Sequence, residues 1–272
     1  MDRLGDLDVD IWRCVHVSAA MVGDATVAAF RAWFVDAVPV WAHRQTRAVW
    51  LQLNKAQIVR GLLACALSHD FPIPMEMHHA QQEYVMLIAV LQLPASIPPY
   101  CTTHVGAGGF VVNRSGQVLV VADRRPDRPD NFWKLPGGVV EHTESIATGV
   151  EREVLEETGV SCKFETILMI RHNLAFRFER GDLYFICLCV LPPDYDDAAP
   201  LQAPSDEIAA CRWIDLDEFL NLKHMQRYLG PYVNVLRAAA AGSRIGLSVV
   251  GASPDAQLYT PVDSTSSSPS AL

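Results

Sequence analysis

GVVEHTESIATGVEREVLEETGV, residues Gly138 to Val160, is the stretch that decides how this chain reads. Its spacing predicts a helix over Glu144–Thr158, with Thr143 as N-cap and Gly159 at C′. Wound at about 100° per residue, Ala147, Val150 and Val154 form a narrow apolar stripe. Glu153, Glu156 and Glu157 gather beside it. The helix is therefore anchored along one face and carries three carboxylates at the edge of that contact. The pattern works against itself electrostatically. Glu153 and Glu157 are a like-charged i,i+4 pair, which costs roughly 0.2–0.5 kcal/mol. Glu156 and Glu157 also lie in the last turn, at the negative end of the macrodipole, for roughly another 0.3–1 kcal/mol each. A divalent cation reverses the sign of both terms, and carboxylate oxygens are the hard ligands that Mg²⁺ or Mn²⁺ accepts. Magnesium bound this way commonly bridges carboxylate to phosphate, so the expected chemistry is at phosphorus. Gly137-Gly138 allows close backbone approach to an anion, or a carbonyl turned toward a metal. Arg152 lies four residues before Glu156 and can orient its carboxylate, and Glu144 opens the helix, where an acid is favoured. A solvated acidic face gives the same E-x-x-E-E run. The glycine turn, the unfavourable end of the dipole and the adjoining apolar stripe separate the two readings.

The flanks supply a sheet for that helix. Outward on the N-terminal side lie the strand Phe132–Val140, interrupted at Pro136-Gly137-Gly138, and the polar loop Asp123–Asn131. Before these come strands Gln117–Asp123 and His104–Asn113, joined by Arg114-Ser115-Gly116. On the C-terminal side, strands are expected at Phe164–His172, Leu183–Leu191 and Ala209–Ile214, then helices at Leu216–Leu222 and His224–Ala241. A Pro-rich stretch, Leu93–Tyr100, reads as a boundary. Before it, residues 1–95 read as a small α/β unit. Its expected strands are Trp12–Val17, Arg47–Leu53, Glu76–His79 and Tyr84–Leu91. Its expected helices are Asp24–Val38, with Val27, Phe30, Phe34 and Val38 on one face, and Lys55–His69 capped by Asn54. The tail 251–272, rich in Ser, Pro, Ala and Asp, is expected to be disordered.

With 272 residues, half of them hydrophobic, the chain can bury a sizeable core. No apolar run reaches the ~18 residues of a membrane span. The net charge of −9 argues against nucleic-acid or membrane binding, and an anionic substrate would need cations brought with it. Seven cysteines without metal or disulfide spacing, and acids at Asp2, Asp6, Asp8 and Asp10, suit a reduced, cytoplasmic protein without a targeting leader.

The segment Gly138–Val160 resembles the Nudix box, G-x5-E-x7-R-E-U-x-E-E-x-G-U, where U is a bulky aliphatic residue. Every defined position matches: Gly138, Glu144, Arg152, Glu153, Val154, Glu156, Glu157, Gly159 and Val160. The resemblance implies an α/β fold, the Nudix αβα sandwich with a mixed sheet, over 101–242. It implies Mg²⁺ or Mn²⁺ on Glu153, Glu156, Glu157 and the Gly137 carbonyl, and Glu144 and Arg152 positioning the helix through salt bridging. The reaction implied is attack of water on the diphosphate of a nucleotide derivative. RAVWLQL (47–53), Phe71–Leu87 with its HHAQQEYVML (78–87), HVGAGGFVVN (104–113), FWKLPGGVV (132–140) and DEIAACRW (206–213) are similar to one subgroup. That subgroup holds the fibroblast growth factor antisense Nudix protein and the plant ADP-ribose/NADH pyrophosphatases. It implies an acetyltransferase-like fold for 1–95, without an acetyl-CoA loop here; separately, that N-terminal unit is a candidate homodimer contact. Its substrates are ADP-ribose and NAD(H), cleaved with release of AMP. CoA derivatives, capped RNA, oxidised nucleotides, or a catalytically weak nucleotide-binding regulator are the alternatives left open. Many plant members read Pro-Thr-Gly where this chain has Pro136-Gly137-Gly138, and His142-Thr143 replaces their Glu-Gly-like pair.

Outside the box, Glu207 is a candidate additional metal ligand or base. Arg125, with Arg124 and Arg128, is a candidate phosphate contact in the loop before the box. Trp133 can pack in the core or stack on a base, and His172 ends a strand near the expected cleft. His78-His79 looks like a metal pair. Adjacent strand residues face opposite ways, so packing is the expected role.

Overall fold

The computed structural model describes residues 7, 9–93, 95, 97–124, 132–201, 206–229, 233–243, 245–253 and 256–261. The chain divides into two compact units, Met1–Cys101 and Thr102–Leu272.

The first unit runs β1 (Cys14–Val17), α1 (Ala19–Val22), α2 (Val27–His43), β2 (Ala48–Asn54), α3 (Lys55–Val59), α4 (Leu62–Ala66), β3 (Glu76–Ala80) and β4 (Tyr84–Val90). Its strands form one mixed sheet in the order β1-β2-β4-β3, with β1 parallel to β2 and the other pairs antiparallel. A parallel pair needs a crossover, which α2 provides. The buried face of α2 is Phe30, Phe34, Ala37 and Trp41, a helical repeat that meets Val49, Leu51 and Leu53 of β2. Val27, expected on that face, is exposed. The helix also runs past Val38 to His43 with Pro39 inside it. Proline cannot donate to the carbonyl four residues back, and that residue, Val35, is exposed to water. The single helix expected over 55–69 is two, because Gly61 adopts φ +90° between them. Asn54 begins α3 with a reciprocal capping box to Gln57. The Gln57 amide is buried and donates to the carbonyls of Ala19 and Gly23 at 2.7 and 2.9 Å.

The second unit runs β5 (Thr103–Val111), β6 (Gln117–Asp123), β7 (Trp133–Lys134), β8 (Gly137–Val139), α5 (Ile146–Thr158), β9 (Lys163–Asn173), β10 (Gly181–Val190), β11 (Ile208–Asp215), α6 (Leu216–Asn221), α7 (Lys223–Leu229), α8 (Val233–Ala240), β12 (Leu247–Ser253) and β13 (Ala256–Pro261). A six-stranded sheet has the order β13-β12-β9-β10-β5-β8, and a three-stranded sheet the order β11-β6-β7. Only β10 and β5 pair in parallel among these strands. Strand alternation divides the core into two layers. Ala107, Val111, Leu119, Cys187 and Cys189 pack with Val150 and Val154 of α5. Phe110, Val118, Val120, Ile186 and Ile214 pack with Phe219 and Leu236 of α6 and α8. The unit is a mixed α/β sandwich with helices on both faces of its strands.

Two expectations change here. The strand predicted over 132–140 is two strands in different sheets: β7 pairs with β6, and β8 pairs with β5. Leu135-Pro136 crosses between them, since Pro136 has no N–H for a ladder. The helix expected over 224–241 is seen as α7 and α8 on either side of residues 230–232, which lie outside the described set. The tail is not wholly disordered: 247–253 and 256–261 pair as an antiparallel hairpin. Leu247 and Tyr259 reach the α5 core, Tyr259 against the Phe164 ring at 6.3 Å. A few apolar residues set among Ser and Ala are enough to dock a hairpin. Residues 262–272 lie outside the described set.

Candidate active site

Helix α5 begins at Ile146, two residues later than its sequence suggests. Ser145 is the N-cap, its hydroxyl accepting from the Thr148 N–H at 3.0 Å. Thr143 instead sits at φ +68°. Glu144 therefore precedes the helix, where its carboxylate accepts from the Glu141 N–H and folds back over Gly149 to Arg152. Gly159 closes the helix in the left-handed region, its N–H donating to Leu155. Gly149, Val150, Val154 and Thr158 form the buried stripe.

Arg152 is the hub of the acidic edge. Its Nε donates to Glu144 Oε1 at 2.9 Å and one terminal nitrogen to Glu144 Oε2 at 3.0 Å. The same nitrogen reaches the Val139 carbonyl at 3.0 Å. The other donates to Glu153 at 3.0 Å and Glu156 at 2.9 Å. These contacts use all five guanidinium donors. The Arg152 guanidinium holds the Glu144 carboxyl below its ordinary range. Burial pushes Glu153 up. It pushes Glu157 up to about 7, against the pull of Lys134 and the Gly137 N–H. That N–H donates to Glu157 Oε2 at 2.7 Å, while Lys134 Nζ stands 3.5 Å from Glu157 Oε1 and 2.9 Å from Asp123 Oδ1. Each carboxylate of the edge is thus turned toward an organic cation or an N–H. As they stand, no three acidic, His or Cys side chains among the described residues converge to hold a metal. The donor set itself is hard oxygen, and among the described residues two cations, Arg152 and Lys134, pair with Asp123, Glu144, Glu153, Glu156 and Glu157. That surplus of negative charge fits a divalent ion.

The glycines admit these groups. A Cβ on Gly138 would lie 2.6–2.8 Å from the Glu153 carboxylate. Gly137, at φ +151°, has no room for one against Ala107 and Gly108. Gly106 and Gly108 make way for the Tyr184 side chain, whose hydroxyl burial pushes to higher pKa.

A family model described as the NUDIX domain matches residues 102–233, and a second, described as the Nudix hydrolase domain, matches residues 6–91. Nucleoside diphosphate-linked moiety X motif 6 of Xenopus laevis is 37% identical over 161 residues, 58% of this chain and 69% of that protein. The chain belongs to the Nudix hydrolase family. Nudix hydrolase 8 of Arabidopsis thaliana is 36% identical over 183 residues, 66% of this chain. The matched stretch spans about half of that relative, 47% of its length. The crystal structure of MutT protein from Methanosarcina mazei Go1 is 21% identical, with a TM-score of 0.42 over 52% of this chain and 98% of that one.

In this Nudix chain Glu144, Arg152, Glu153, Glu156, Glu157 and Gly137 come together. Other candidates lie apart. Glu207 is exposed just before β11, its carbonyl accepting from the Arg124 N–H. The next residue, Ile208, pairs with Asp123, so Glu207 stands opposite Arg124, one residue past Asp123. Arg124 also donates to the Ile208 carbonyl. Arg125 and Arg128 lie outside the described residues. Trp133 is half-buried against the α6–α8 core, with the Arg212 guanidinium 4.5 Å above its ring. Its carbonyl accepts from His224 at 2.7 Å. His172 is exposed on β9 opposite Leu183, three strands from β8. His78 and His79 do not face apart as expected: a bulge between Met77 and His79 brings their Nδ1 atoms to 2.7 Å. They pack on Trp50 and Tyr100, and His78 Nε2 donates to the Pro98 carbonyl. Sequence reasoning missed Asp123, Lys134 and Tyr184. Alternation in FWKLPGG, with Trp133 and Lys134 on opposite faces, and the Gly106/Gly108 pair opposite a bulky residue were the available signals.

No helix among the described residues is long and apolar enough to cross a membrane.

Proposed function

We propose that this Nudix chain hydrolyses the diphosphate linkage of a nucleoside diphosphate derivative. Its substrates on this reading are ADP-ribose and NAD(H), with AMP as the common product. The observation that carries the reading is the acidic edge of α5, whose carboxylates are gathered by one saturated arginine and one glycine N–H at the start of β8. A relative's name, nucleoside diphosphate-linked moiety X motif, supports the substrate class.

Glu153, Glu156 and Glu157, with the Gly137 carbonyl, would hold Mg²⁺ or Mn²⁺. Bound there, such an ion neutralises the diphosphate and makes water nucleophilic at neutral pH. Glu207 is a further candidate ligand from the β6–β11 edge. Arg152, with every donor engaged, orients Glu153 and Glu156 and does not meet substrate; Glu144 fixes Arg152 from the other side. The Gly137 N–H fixes which oxygen of Glu157 is left to face the site. These are positioning roles, and they provide pre-organisation at the charged centre.

Incubating the purified chain with Mg²⁺ and ADP-ribose, NADH, CoA and a capped RNA, then following AMP release, tests the proposal. Glu156→Gln and Glu157→Gln are each expected to lower turnover by at least ~10²-fold with the far-ultraviolet circular dichroism unchanged. Wild-type rates in both variants would remove the ligand assignment.

A further inference from the structure

Lys134 stands between the two sheets of the second unit. It projects from β7, opposite Val121 of β6, while Asp123 is two residues further along β6. Strand alternation sends Trp133 to the α6–α8 core and Lys134 to the other side. There its ammonium is 2.9 Å from Asp123 and 3.5 Å from Glu157 of α5. The shorter contact is the tether and the longer one the exchangeable partner. All three groups are largely buried, with side-chain exposures of 27%, 19% and 13% for Lys134, Asp123 and Glu157. An ammonium has three donors, and among the described residues Asp123 and Glu157 are the acids it meets. Arg152, the other cation at the cluster among the described residues, has none to give.

We propose that Lys134 is a ligand for the substrate diphosphate, held in reserve by Asp123 and resting on Glu157 until substrate and metal arrive. This rests on the diphosphate-hydrolysing reading above. A divalent ion on the Glu157 oxygen nearest Lys134 would draw off that oxygen's charge and repel the ammonium, loosening the 3.5 Å contact. Once that oxygen is taken, the ammonium needs a new anionic partner within reach of its Asp123 tether. A phosphate oxygen of a metal-bound diphosphate is such a partner, and a compact, mobile point charge suits it.

Two binding measurements separate this from a merely structural role. Mn²⁺ binding to the nucleotide-free protein is read by electron paramagnetic resonance. Binding of the non-hydrolysable α,β-methylene analogue of ADP-ribose, with Mn²⁺ present, is read by calorimetry. Lys134→Met is expected to leave Mn²⁺ affinity unchanged or tighter, since a competing cation is gone. It should weaken the analogue by roughly 10- to 100-fold and raise KM more than it lowers kcat. Lys134→Arg is expected to recover part of the loss. Lys134→Gln, which keeps a hydrogen bond to Asp123, serves if the methionine variant does not fold. Analogue affinity equal to wild type in the folded variant overturns the proposal. So does a parallel loss of Mn²⁺ and analogue, which would make Lys134 a support for the cluster's shape. A wild type that binds Mn²⁺ but neither binds nor cleaves any diphosphate nucleotide overturns the functional reading, and this proposal with it. A wild type that binds and cleaves, beside an unaffected Lys134→Met, overturns this proposal alone.

Discussion

At the scale of single residues, charge pairing around Arg152 explains more of the site than any one carboxylate does. Glu144 gains a bidentate guanidinium, and its pKa falls below the ordinary 4.5 for that reason. A depressed carboxylate contributes stability that is fully present above its unfolded value and lost as pH falls through the folded one. Glu144→Gln is therefore expected to be less stable than wild type at pH 7. The difference should shrink as pH drops below about 4.5, read as urea midpoints at pH 7, 5 and 4. A difference that stays constant with pH would mean that Glu144 acts by shape alone. The sequence exposes the partners Arg152–Glu156 by their i,i+4 spacing. Spacing does not expose Arg152–Glu144, because Glu144 lies outside the helix and reaches back across a turn; that pair is implied only by the resemblance to the Nudix box.

The element that decides the site is α5, and its first turn is where sequence and structure part. Thr143 and Ser145 are both good caps by type. The chain uses Ser145, since Thr143 is held at positive φ, where a β-branched residue is strained. Ser145→Ala is expected to lower stability by about 1 kcal/mol. Thr143→Gly is expected to raise it by roughly 1 kcal/mol, by relieving that strain. Chemical denaturation of the pair checks the assignment, and the opposite ranking would restore Thr143 as the cap. The same distinction holds for the strand over 132–140. Its apolar residues are readable, but which ladder each half joins depends on β5 and β6 lying in different sheets.

For the whole molecule, the two units have separate cores, and the first is aromatic. Phe34 is fully buried among Phe30, Trp33, Trp41 and Phe71, with ring centroids 4.8–5.6 Å away. Phe34→Ala is expected to remove roughly 3–5 kcal/mol from that unit, seen as an earlier melting transition by circular dichroism and tryptophan fluorescence. An unchanged transition would show that this core adds little to stability. The sequence by itself determined most of the strands and helices from β1 to α8, the acidic edge of α5 and the glycines beneath it. Those features follow from periodicity and residue type within a few turns of chain. Tertiary structure alone decided that Lys134 and Asp123 join Glu157, that a bulge turns His78 and His79 together, and that the 247–261 segment folds into a hairpin. Each of these depends on groups brought together from separate elements or on a local register shift, and neither is encoded in the spacing of one segment.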